Sequence, residues 1–225
     1  MYKLPKFNVS KIEVENYYDE NKLITITLDE KISIQKNMEK YFKKYNKLKT
    51  ALEISTKQKQ VTETELEYIE SIVYSLENAS NIDEVNEVYD EISSSNLFSD
   101  SFKKNTKTKK KSEISQPEEF DIDGFTVLVG KNNKQNDYLS LKLAKPDDLW
   151  FHTKDIRGSH VVLRTSGKEI SDDLIIKCAK LASKHSKAKN SSNVPIDYCL
   201  AKYVKKPSGA KPGMVIYTNY KTVNV

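Results

Sequence analysis

Glycine is missing from the first 123 residues of this 225-residue chain, and proline from everything between Pro5 and Pro117. Such a shift in punctuation residues marks a change of architecture. Cysteine is scarce: Cys178 and Cys199 are too few for a disulfide framework, and neither has the CxxC or CxxH neighbour of a metal or redox motif, so both are expected as packed thiols. No apolar run approaches the ~18–20 residues of a bilayer span, and the opening MYKLPKFNVSK lacks the apolar stretch of a signal peptide. With 37% hydrophobic and 31% charged residues, the expectation is one or two soluble cytoplasmic domains.

Positive charge is scarce in one half and abundant in the other. Residues 1–102 carry a net −6 and residues 103–225 a net +11. A bias of this kind points towards nucleic acid or an anionic surface, and its plainer meaning is a solvated lysine face.

Near the start, Ile12, Val14 and Tyr18 and then Ile24, Ile26 and Leu28 alternate on either side of Asp19-Glu20-Asn21-Lys22, which is a hairpin signal. From Ile34, steps of three and four land on Met38, Tyr41, Tyr45, Leu48, Leu52, Ser55, Lys59, Thr62, Leu66, Ile69, Val73 and Leu76. The unbroken register predicts one long coiled-coil helix of roughly 65 Å. Thr62 with Glu65 matches a capping box, so a break near residue 60 is the alternative. A shorter helix is expected through Ile82, Val85, Val88, Tyr89 and Ile92.

A seam of Tyr41, Tyr45, Leu48, Leu52, Leu66, Ile69 and Val73 requires a partner, either a second copy of the chain or a segment outside it. Residues 31–49 hold seven Lys and one Glu, and residues 50–100 two Lys and twelve acids. Antiparallel self-pairing would bring opposite charges together, which makes a homodimer physically reasonable.

The run KKNTKTKKK, residues 103–111, and the polar SEISQPEE after it read as a flexible linker: a solvated spacer or a basic tether. Beyond it, Phe125–Val129 reads as a strand, Asn136–Ala144 as a short helix, and Leu149–Thr153 with His160–Arg164 as a strand pair around Gly158. Ser171 is the expected N-cap of a helix carrying Leu174, Ile175, Cys178, Leu181 and Ala182 on one face. Tyr198–Val204, Met214–Tyr217 and Thr222–Val225 supply further strands. The expected organisation is α+β: a hairpin over 1–30, coiled-coil helices over 31–99, a basic linker over 100–118, and a mixed α+β domain over 119–225.

The segment DDLWFHTKDIRGSHVVLR, residues 147–164, holds the only Trp, two of the three His and both Arg. Period two places Trp150, His152 and Lys154 on one strand face, where an indole can stack a base and a cation can pair with phosphate. A four-residue loop would add Ser159, Val161 and Leu163 to that face; a different loop would add His160 and Arg164. Against this stands a core Trp150, with His152 serving a buried neighbour such as Asp148. A zinc site at His152 and His160 lacks further ligands, and a nuclease centre of His152, Asp155 and His160 lacks a nucleophile arrangement. The segment KKPSGAKPG, residues 205–213, combines small residues, fixed φ and three lysines, which suits phosphate contact, although it is no Walker A loop. Lys131 with Lys134, and Lys184 with Lys187 and Lys189, would enlarge that footprint if they share its side.

DGFTVLVGKNNKQNDYLSLKLA, DDLWFHTKDIRGSHVVLR and VKKPSGAKPGMVIYTNYKTV resemble the NFACT-R domain of the RqcH/NEMF ribosome quality-control family, whose bacterial members carry the older name fibronectin-binding protein A. NYYDENKLITITLDE and KNMEKYFKKYNKLK resemble its middle and coiled-coil region, so the resemblance covers nearly the whole chain. It implies a non-catalytic module that binds tRNA and the large ribosomal subunit carrying stalled peptidyl-tRNA, in support of alanine tailing, with no cofactor and no metal. The family's N-terminal and helix-hairpin-helix domains are not matched, so the chain is expected to be the C-terminal half of a larger protein. An RNA-binding role transfers to Asp148, Trp150 and His152; Arg157 stands where proline is expected in many relatives. The candidate RNA contacts also include Lys154, Ser159, His160, Arg164, Lys131, Lys134, Lys205, Lys206 and Lys211. The alternative reading is a structural protein-interaction module that docks or dimerises through the coiled coil without direct RNA binding. A surface adhesin, suggested by the older name, has neither an export signal nor disulfides to support it.

Overall fold

The computed structural model describes residues 9–95 and 114–225, so the lysine-rich run 103–111 lies outside the described residues. Contacts divide the chain into two units, Met1–Glu63 and Thr64–Val225.

In the first unit, β1 (Lys11–Asn16) and β2 (Lys22–Thr27) form the expected hairpin, pairing Ile12 with Ile26 and Val14 with Ile24. The turn is closed by Asn16, whose side chain accepts from the Tyr18 amide. It passes through left-handed backbone at Glu20 and Asn21. Helix α1 (Ile34–Glu77) begins in this unit and continues through residue 60 without a break. The Thr62–Glu65 pair therefore lies inside a helix and caps nothing. Asn37 ties the start of α1 to the hairpin's exit: its side chain accepts from the Asp29 amide at 2.8 Å and donates to the Asp29 carbonyl at 2.9 Å. The Tyr41 hydroxyl donates to the Thr27 carbonyl at 2.6 Å. Even so, Tyr41, Tyr45, Leu48, Leu52, Leu66, Ile69 and Val73 all remain exposed along α1.

In the second unit, the last turns of α1 pack Tyr68 and Ile72 against Val88 of α2 (Ile82–Ser94). Asn81 caps α2 by accepting from the Asp83 and Glu84 amides, and Glu84 reaches back to accept from Ser80. Six strands follow: β3 (Glu118–Ile122), β4 (Phe125–Val129), β5 (Leu149–Thr153), β6 (Val161–Leu163), β7 (Pro195–Leu200) and, last in the chain, β10 (Lys221–Asn224). They form one antiparallel sheet in the order β10-β7-β5-β6-β4-β3. Between β7 and β10 lies a two-stranded ribbon of β8 (Val204–Lys205) and β9 (Ile216–Tyr217).

Period two splits the strand side chains between two cores. On one face Val127, Phe151, Val161, Leu163 and Ile196 pack against Leu174, Cys178, Ala179 and Ala182 of α4 (Asp172–Lys184), whose cap is Ser171 as expected. On the other, Leu128, Trp150, Val162 and Cys199 meet Leu139 and Val204. Each large apolar side chain so buried stabilises the fold by about 1.5–3 kcal/mol. Both cysteines are free and buried, one on each face, and burial raises the Cys178 thiol to about 12 and Cys199 to about 11.

The helix expected over 136–144 starts earlier, as α3 (Asn133–Tyr138), because Asn132 caps it by accepting from the Gln135 amide; a π-helical turn, Leu139–Leu143, then continues it. The strand expected over 198–204 instead runs over Pro195–Leu200 and yields to a 3₁₀ turn at Ala201–Tyr203.

Candidate nucleic-acid interface

Strand β5 pairs Trp150 with Val162 of β6 and Phe151 with Val161. Directly paired residues of an antiparallel ladder share a face. His160 and Arg164 consequently join Asp148, Trp150 and His152, and the placement of Ser159, Val161 and Leu163 there does not hold. The physical reason is that the connection from Lys154 to His160 is longer than a four-residue turn.

Trp150 is fully buried, which removes the open stacking platform expected of it. Its indole N–H donates to Ser140 Oγ at 3.0 Å, and that oxygen lies 2.7 Å from His160 Nδ1. The His160 ring meets the indole edge-on at 5.1 Å, Tyr217 lies at 4.8 Å, and His152 stacks at 5.8 Å between centroids. Burial pulls the His152 imidazole down to about 4, only partly offset by backbone hydrogen bonding at Gly158 and by the Asp197 carboxylate. His160 is held well below the ordinary range, chiefly by burial and then by His152. Both rings are therefore neutral at pH 7 and supply no cation.

Asp148, also buried, does not serve His152. Its carboxylate accepts from the Lys145 amide at 2.9 Å, the Thr165 amide at 3.2 Å and Arg164 Nη1 at 2.9 Å. It thereby clasps the entry of β5 to the exit of β6.

The remaining candidate cations are largely committed within the molecule. Arg157 forms an ion pair with Glu70 and donates to the Glu67 carbonyl, pinning the β5–β6 connection to α1. Lys131 pairs with Glu84 at 2.8 Å, and Lys134 donates to the Glu87 carbonyl at 3.2 Å. Ser159 is buried, with its amide on the His185 carbonyl. Lys154 lies over the Tyr220 ring.

The 205–213 segment connects β8 to β9, as a turn between strands would. Lys206 pairs with Asp137, which also accepts from the Gly213 amide at 3.1 Å, and Lys211 sits over the Tyr68 ring at 5.5 Å. Gly213 has φ near +79°, and a Cβ there would fall 2.6 Å from Asn133 Oδ1, so the close approach requires glycine. Of the three loop lysines, Lys205 alone is exposed.

One set of residues escaped the sequence reading. Glu84, Glu87 and Glu91 line one face of α2 and are buried against Lys131–Gln135. Asn132 donates to Glu87 at 2.6 Å, Asn133 to Glu91 at 3.0 Å, and Gln135 to Glu87 at 3.3 Å. Burial raises the Glu91 carboxyl despite the Asn133 bond. The i, i+3, i+7 spacing of the three acids was a visible signal; it placed them on one face but could not name a polar partner more than forty residues away.

Exposed charge gathers elsewhere. Lys180 and Lys184 of α4, then Lys187 and Lys189, are exposed. Lys184 and Lys189 share a smaller depression with Lys131, His185 and Glu118. A larger cleft of about 490 Å³ opens where Thr64, Ser71 and Tyr74 of α1 face His152, His160 and Tyr217. Among the described residues no cluster of three or more His, Cys, Asp or Glu could hold a metal, and no helix is long and apolar enough to cross a membrane.

Comparison with known proteins adds two domain matches. Residues 119–219 match the NFACT protein RNA binding domain, and residues 2–113 match the family model described as NFACT N-terminal and middle domains. The latter model includes the middle region that the upstream motifs resemble. The Rqc2 homolog RqcH of Bacillus subtilis is 40% identical over 226 residues, covering 100% of this chain and 39% of that protein. RqcH of Streptococcus suis is 40% identical over 218 residues, covering 96% and 38% respectively. The chain thus spans less than half the length of these relatives. The solved C-terminal structure of the fibronectin/fibrinogen-binding protein from Streptococcus suis superposes with a TM-score of 0.73 at 39% identity, over 86% of this chain and 76% of that one. Fold, motifs and both domain matches agree, and the chain belongs to the NFACT family of RqcH proteins.

Proposed function

We propose that this chain is the non-catalytic, RNA-binding portion of a cytoplasmic ribosome quality-control factor, acting on tRNA and on the large ribosomal subunit that carries stalled peptidyl-tRNA, in support of alanine tailing. The match of residues 119–219 to the family's RNA-binding domain carries the reading. Its electrostatics support it, because Lys180, Lys184, Lys187 and Lys189 are exposed and, among the described residues, meet no ion-pair partner that a phosphate would have to displace. Co-sedimentation of the chain with large subunits bearing peptidyl-tRNA, compared with vacant large subunits, tests it directly; equal absence from both pellets defeats it.

The distribution of free charge refines the expected salt response. Replacing Lys180, Lys184, Lys187 and Lys189 by glutamine flattens the slope of log K against log salt for tRNA by about 3. The same change at Lys205, Lys206 and Lys211 flattens it by about 1, since two of those lysines are already engaged. Equal effects from the two sets would contradict this assignment.

A second reading, docking or homodimerisation through α1, is favoured by the exposed seam from Tyr41 to Val73. The isolated chain is expected to self-associate at micromolar concentration in light scattering, and Leu48→Asp to shift it to monomer. A monomer insensitive to that substitution defeats the dimer.

A further inference from the structure

The cleft of about 490 Å³ falls within the ~300–1,000 Å³ of small-molecule sites. Its lining argues against an anion. Among the described residues, the only cations at its edge are Lys131 and Arg157, and both are ion-paired, to Glu84 and Glu70. Glu67 and Asp155 add negative charge to the rim. A phosphate placed inside would meet no free positive charge among the described lining residues.

What the lining does offer is flat and polarisable. His152 and Tyr217 come from the sheet side, with the indole of Trp150 beneath them, and Tyr74 comes from α1. Asn136 adds a neutral side-chain amide whose Oδ1 already accepts from the His160 amide, and Ser71 a hydroxyl that already donates to the Tyr68 carbonyl and accepts from Asn133. Rings with a few neutral donors and acceptors suit an unstacked base, because every base has a π-face and an edge to be hydrogen-bonded.

We propose that this cleft receives a single unpaired nucleobase of the bound RNA, with His152 and Tyr217 as the stacking surface. The inference rests on the RNA-binding reading and deepens it: exposed lysines on the outside hold the phosphodiester backbone, and the cleft holds one base extruded from it. Neutral imidazoles are consistent with stacking on a base and with rejection of a phosphate.

Because Trp150 is the chain's only tryptophan, its emission is a clean reporter of the cleft. The full 225-residue chain is titrated with a short single-stranded oligoadenylate and with an abasic ribose-phosphate oligomer of the same length. Oligoadenylate is expected to quench Trp150 and the abasic oligomer to leave it unchanged. Thr64→Phe fills the mouth from an exposed helical position, where threonine and phenylalanine have similar helix propensity. That variant and His152→Ala should weaken oligoadenylate roughly tenfold or more while abasic binding stays at the parent value. His152→Phe keeps a ring and should restore most of the affinity. If both oligomers bind the parent equally and neither quenches Trp150, the base site is refuted and the RNA-binding reading stands. If neither oligomer binds at any salt concentration, both readings fall together.

Discussion

Replacing Trp150 by alanine is expected to lower the folding stability of the C-terminal unit by about 3–5 kcal/mol. The indole is fully buried, touches His152, His160 and Tyr217, and donates to Ser140. Truncation opens a cavity in the middle of the sheet and removes the N–H that Ser140 Oγ accepts from, leaving that hydroxyl His160 alone as its partner. Trp150→Phe separates the two contributions: it retains most of the apolar volume and gives up the N–H, for about 1–2 kcal/mol. Urea unfolding, with RNA affinity measured under conditions where each variant is folded, checks both. An open stacking platform predicts the reverse, little change in stability and a loss of affinity of ~1–3 kcal/mol. A Trp150→Ala protein as stable as the parent would show that the indole is not part of the core.

Lowering the pH from 7 to 5 is expected to destabilise the same unit by about 2 kcal/mol through His152 alone. In the unfolded chain this imidazole takes up its proton near 6.5, whereas in the fold burial delays protonation to about 4. The unfolded state therefore binds more protons through that window. Stability is fully present above 6.5 and is lost as pH falls towards 4. His160, depressed by burial and by His152, acts in the same direction. Two carboxylates contribute around the lower end of the range. Glu84, lowered by Lys131 and Ser80 against its own desolvation, loses stability on acidification; Glu91, raised by burial, gains it. His152→Gln isolates the imidazole, and its urea midpoint should fall less between pH 7 and 5 than the parent's. Identical acid sensitivity in the two proteins would contradict a His152 held neutral by its surroundings.

Local regularity was legible in the sequence because it depends on neighbours a few residues apart. The heptad register from Ile34, the alternation of β1 and β2, the strands Phe125–Val129 and Leu149–Thr153, and the Ser171 cap are all short-range patterns, and each reappears in the fold. The family resemblance was legible for a related reason, since it rests on residue order within continuous motifs and both domain matches bear it out. Strand β3 was missed because Glu118–Ile122 is too polar to read as a strand until β4 pairs with it.

The roles of individual charges depended on the tertiary structure. Lys131, Lys134, Arg157, Arg164 and Lys206 read as free cations in one dimension, yet each meets an acceptor brought from a distant or neighbouring element. A lysine's partner is set by which helix packs against its loop, and that is a property of two surfaces meeting. Trp150 is the sharpest instance. Strand periodicity assigned it a face and nothing more, and whether that face was open or covered was decided by the π-helical turn and the β8–β9 ribbon that close over it.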